Sequence, residues 1–98
     1  MLDIVQYLVE FIGTFIFLSV ILAVGQPIPI VVGLLAAIYF GGAISGGHFN
    51  PAVSIMMFMK NNLTLEKLPF YIIAQVLGGL SALQFNNLVN SLNVAVQS

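Results

Sequence analysis

The chain has no cysteine, no tryptophan and no arginine, and only 5% of its 98 residues are charged. Each absence removes a class of protein. Without cysteine there is neither a disulfide framework nor a thiolate metal site. Lys60 and Lys67 are the whole cationic complement, too little to neutralise a phosphate backbone, so nucleic acid is not an expected partner. One histidine and three acids cannot assemble a catalytic triad, a carboxylate dyad or a metal cluster within one copy. An enzyme is therefore not expected, and neither is a metal or a cofactor. The same shortage argues against a proton or ion relay, which needs a series of ionisable groups.

What the sequence has instead is hydrocarbon, with 60% of its residues hydrophobic. Soluble domains carry roughly 25% charged residues, and a surface of the present composition would aggregate in water. A bilayer rewards it. At this length one domain is expected, and the class is an all-α integral membrane protein. The opening "MLDIVQYLVE" lacks the basic start of a secretory signal, and the apolar stretch it begins outruns the roughly 7–15 residues of a signal core. It is expected to be a retained span, even with the small residues Ala23 and Gly25 at its end.

Three stretches are long enough to cross. Residues 4–24 are apolar except for Gln6, Glu10, Thr14 and Ser19 and would span roughly 31 Å as a helix. Gly25-Gln26-Pro27-Ile28-Pro29 breaks this run, and residues 28–44 form a second. The third covers residues 68–89, with Pro69 near its first turn, where a missing N–H costs nothing. The polar tail from Asn90 is expected to lie outside. Both lysines fall in the loop before the third span, so the positive-inside rule places that loop and the N-terminus in the cytoplasm. A margin of two lysines also leaves both orientations open. The Asn62-Leu63-Thr64 sequon in that loop would then never meet the glycosylation machinery.

Between the second and third stretches stands "SGGHFNPAV", residues 45–53. Irregular backbone at membrane depth is tolerated only where protein or a water-filled cavity satisfies it. The glycines suit a tight turn, and Asn50 followed by Pro51 is a helix start, with a favoured N-cap and a proline at the first helical position. Residues 45–50 thus read as a loop and 51–59 as a half-helix too short to cross. A helix N-terminus aimed inward carries about half a positive charge and several free N–H groups, which suits a pore for neutral solutes. A plain connecting loop followed by an interfacial helix fits this stretch equally well on local grounds.

Taken with its surroundings, the stretch resembles the first pore loop of the major intrinsic protein family, the aquaporins and aquaglyceroporins, whose pattern there is S-G-x-H-x-N-P-A-V. "EFIGTFIFL" from Glu10, "AIYFGGAISGG" from Ala37 and "FYIIAQVLGG" from Phe70 resemble the family's first three helices, in order. The resemblance implies three transmembrane helices plus one re-entrant half-helix, half of an aquaporin-like right-handed bundle. It makes Asn50, Pro51 and Ala52 the first of two N-P-A boxes, with Asn50 donating to a single file of solute. It makes the carbonyls of Gly46, Gly47, His48 and Phe49 an acceptor ladder, and Glu10 and Gln75 the groups that brace the loop. For His48, packing against the loop and contact with solute are both open. Gly13, Gly33, Gly42, Gly46, Gly78 and Gly79 are expected to permit close helix crossing.

The chain departs from the family pattern by supplying one repeat where the family's pore uses two. The second N-P-A box and its arginine are absent, and the filter position implied on the second span falls near Ile30, which is not aromatic. The expected function is a channel for water and small neutral polyols such as glycerol, its pore completed by antiparallel pairing with a second copy. A separately encoded second half, a full-length relative as partner, and a non-conducting structural protein are the alternatives. The polar groups at membrane depth, Glu10, His48 and Asn50, weigh against the last of these.

Overall fold

The computed structural model describes residues 2–97, which form four α-helices and, among the described residues, no strand. Helix α1 spans Leu2–Ala23, α2 Pro27–Ser45, α3 Pro51–Met59 and α4 Leu68–Gln97. Three of them, α1, α2 and α4, are long and apolar enough to cross a membrane. At nine residues, α3 is about 13 Å long and is not. Helix α1 lies centrally, packed on α2 along one side and on α4 along the other, while α3 packs on α4.

Local chemistry sets the helix ends. Pro27 and Pro29 do more than break the chain: both lie in the first turn of α2, which starts on Gln26 without a side-chain cap. There the missing N–H groups have no helical partner to lose. At its other end α2 keeps Ser45, so the loop runs over residues 46–50 and is one residue shorter than the sequence pattern suggests. Gly46 stops the helix at φ 93°, its N–H returning to the carbonyl of Gly42. Helix α3 begins on Asn50, whose Oδ1 accepts from the Ala52 N–H at 2.8 Å. Helix α4 continues to Gln97, past residue 89, where the apolar span was expected to end. The polar residues from Asn90 onward limit a span, but without glycine or proline they do not stop a helix.

Burial is inverted relative to a soluble protein. Large apolar side chains such as Ile4, Ile28, Leu35, Tyr39, Phe40 and Leu80 are exposed, whereas Glu10, Thr14, Ser45, His48, Ser54 and Gln75 are buried. A lipid-facing surface demands the first, and of the second group Glu10 and Ser45 give the loop backbone partners inside. Close approach of α1 and α4 depends on Gly78, where a Cβ would lie 2.6 Å from the carbonyl oxygen of Phe11. An ion pair between Asp3 and Lys67 at 3.5 Å brings the start of α1 and the α3–α4 loop to one end of the bundle.

Candidate functional site: a re-entrant loop held on a buried carboxylate

The loop between α2 and α3 cannot satisfy itself by regular structure, and its N–H groups converge on one side chain. Glu10, fully buried on α1, accepts from the Phe49 N–H at 2.8 Å through Oε1 and from the His48 N–H at 3.1 Å through Oε2. The Ser45 hydroxyl donates to Oε2 at 2.7 Å and Gln75 Nε2 to Oε1 at 2.8 Å. One carboxylate thus ties α1, the end of α2, the loop and α4 together. Two further bonds fix the loop's start: Tyr71 donates to the Ser45 carbonyl at 2.6 Å, and the Gly47 N–H donates to Ser45 Oγ at 3.2 Å.

With the amides turned toward Glu10, the carbonyls of residues 46–49 accept no hydrogen bond among the described residues. Such groups at membrane depth need water or solute. The loop takes left-handed backbone at Gly46, Gly47 and also Phe49, at φ 54°. For a bulky residue this conformation costs roughly 1–2 kcal/mol. The N–H bond to Glu10 and burial of the ring offset it. The Phe49 ring fills the space over Gly13 and beside Gly41, where a Cβ on Gly13 would overlap it. Gly13 therefore admits the loop's ring, a use the glycine pattern did not suggest.

Beyond the carboxylate, Gln75 Nε2 also donates to Ser54 Oγ at 2.8 Å, and Ser54 Oγ lies 2.8 Å from His48 Nδ1. The His48 ring packs at 5.1 Å from that of Tyr71. Ser45, Ser54 and Tyr71 are the members of this assembly that sequence reasoning did not assign to it, and Gly13 was expected at a helix crossing instead. The signal for the serines was there: they bracket the "GGHFNPAV" stretch as the small hydroxyls nearest its two ends.

Two open spaces flank the loop. Asn50 and Pro51 line a groove of about 380 Å³ together with Thr14, Phe49, Gln75 and Leu80. At the lysine-bearing end, Gly46, His48, Ser45, Gln6, Asn62 and Tyr71 help line a larger vestibule of about 700 Å³. Asn50 is exposed in its groove, and its amide nitrogen makes no hydrogen bond among the described residues because the cap uses the oxygen. Ala52 follows on the exposed side of the first turn of α3. Ile30 stands in the first turn of α2, away from the loop, and is not among the residues lining the groove of Asn50.

Three membrane-crossing helices around a polar interior, with a half-helix entering from a loop pinned at depth, define a polytopic α-helical membrane protein with a re-entrant segment. Residues 25–97 match the profile of the family described as Major intrinsic protein, and the chain belongs to that family. It is 41% identical over 86 residues to "Glycerol uptake facilitator protein-like 6" of Lactiplantibacillus plantarum, covering 79% of this chain and 40% of that protein. It is 43% identical over 88 residues to "Aquaporin-9" of Homo sapiens, covering 74% and 30%. With "Aquaporin-7-2" of Laccaria bicolor the identity is 40% over 65 residues, covering 64% and 20%. The chain thus spans 20–40% of the length of these relatives.

Proposed function

We propose that the chain is one repeat of a membrane channel that passes water and small neutral solutes such as glycerol, with its pore completed by a second copy in antiparallel orientation. The observation that carries this reading is the loop on Glu10. It leaves the carbonyls of residues 46–49 without partners among the described residues, beside an Asn50 amide nitrogen that has none there either. Acceptors in file with a donor serve a hydroxyl or a water, which both gives and takes hydrogen bonds. The positive end of α3, starting at Asn50, opposes cations. Names such as glycerol uptake facilitator and aquaporin among the relatives support the solute class. The N-terminus and the lysine loop, which share one end of the bundle, would face the cytoplasm.

Vesicles containing only the purified chain test this by stopped-flow water and glycerol permeability. Flux well above that of empty vesicles is expected, reduced several-fold by Asn50→Ser, which keeps a capping oxygen but removes the amide donor. Background flux from a helical, well-folded protein would reject self-completion. It would favour a second reading, that a different polypeptide segment supplies the facing half, which the greater length of the relatives also supports.

A further inference from the structure

The bonds behind the loop fix more than its backbone. Glu10 only accepts from Gln75, so the Gln75 amide presents its nitrogen there, and that same nitrogen reaches Ser54 Oγ at 2.8 Å. Having no lone pair to offer, this nitrogen must donate to the serine oxygen. The Ser54 hydroxyl proton then has to go elsewhere. Ser54 is fully buried, and the one other hydrogen-bond partner of its hydroxyl among the described residues is His48 Nδ1 at 2.8 Å. A proton on Nδ1 would face that hydroxyl as a second donor and leave the serine's own proton buried with no acceptor, an arrangement proteins avoid.

We propose that Gln75 and Ser54 lock His48 in the tautomer protonated on Nε2, making the side chain a fixed hydrogen-bond donor at the wall of the vestibule. Nδ1 accepts, and Nε2–H makes no bond to any described residue. Its edge of the ring lies against Gly46, where a Cβ would stand 3.0 Å from Nε2, and both residues line the vestibule. The bare Gly46 is therefore what leaves the donor uncovered. Ser54 and Gln75 are positioning residues, and the donor's partner is the oxygen of a water or a hydroxyl solute. That last step rests on the channel reading above, whereas the tautomer does not.

Because the chain has a single histidine, solid-state nitrogen NMR on histidine-labelled protein in lipid vesicles reads this residue alone. The expected spectrum has one protonated nitrogen correlated with Cδ2 and one unprotonated nitrogen correlated with Cγ. Ser54→Ala and Gln75→Met should each split the signals between both tautomers. A wild-type proton on Nδ1, or on both nitrogens at neutral pH, overturns the proposal, and this spectrum decides even if the variants fail to fold. Variants that fold and keep a pure Nε2–H signal overturn the positioning roles. Water flux through the same vesicles separates the two ideas. Flux with the proton on Nδ1 leaves the channel reading standing without the locked histidine, and the Nε2–H signal without flux does the reverse.

Discussion

Glu10 is where the cost of the fold is concentrated. Its two oxygens take four hydrogen bonds, two from loop amides and two from side chains on other helices. Truncation to alanine strands the His48 and Phe49 amides in a buried site and leaves Ser45 and Gln75 only their bonds to the Gly41 carbonyl at 3.3 Å and to Ser54 Oγ at 2.8 Å. Each unsatisfied buried donor costs on the order of 1–3 kcal/mol, so Glu10→Ala should lower stability by several kcal/mol and release Phe49 from its left-handed backbone. Thermal unfolding in detergent, followed by circular dichroism, measures it. Glu10→Gln should lose less, because one amide oxygen still accepts while the amide nitrogen faces donors. Equal stability of Glu10→Ala and the wild type would mean the loop holds its shape by packing alone. Glu10 could be singled out in the sequence because an acid within an apolar span is expensive. Gln75, His48 and Phe49 entered only through the family resemblance, since no spacing rule links residue 10 to residues 48, 49 and 75 before the helices are packed.

At the scale of the element, glycines of the same composition do different work. Gly78 sits where α4 meets the backbone of α1, with Phe11 O at 2.6 Å and Thr14 Cβ at 3.1 Å from an added Cβ. A Cβ added at Gly42 would meet, among the described residues, only Ile38 of its own helix, at 3.6 Å. Gly78→Ala should therefore destabilise the bundle by about 1–3 kcal/mol through overpacking. Gly42→Ala should be neutral or gain up to about 1 kcal/mol of helix propensity. Denaturation of the two variants side by side ranks them, and an equal response would remove the close α1–α4 approach from the account. The helices themselves were legible from apolar run length, and α3 from Asn50-Pro51. The end of α4 was not, because hydropathy reports what leaves lipid and says nothing about where backbone hydrogen bonding stops. Nor did composition distinguish Gly13, which makes room for a ring from another segment, from Gly78, which makes room for a helix.

The molecule buries Glu10, Ser45, Ser54 and Gln75 yet leaves Asn50 and Pro51 in an open groove, so the proposed antiparallel pairing has a geometric consequence. A twofold axis in the membrane plane relates the two copies at mid-depth, where the inner end of α3 lies, and it sends the outer ends of the two α3 helices to opposite sides. Residue 52 of one copy then sits near residue 52 of the other. The two residues 59, each seven residues further out, stand about 21 Å apart along the normal at 1.5 Å per residue. A disulfide needs Cα atoms within about 7 Å. The chain has no cysteine of its own, so single substitutions report cleanly. Under mild oxidation in vesicles, Ala52→Cys should link into dimers and Met59→Cys should not, although Met59 is 72% exposed. A parallel dimer, with its axis along the normal, places equivalent residues at equal depth and permits Met59→Cys to link. Dimers from Met59→Cys with none from Ala52→Cys would exclude antiparallel pairing and return the missing half of the pore to a different polypeptide segment.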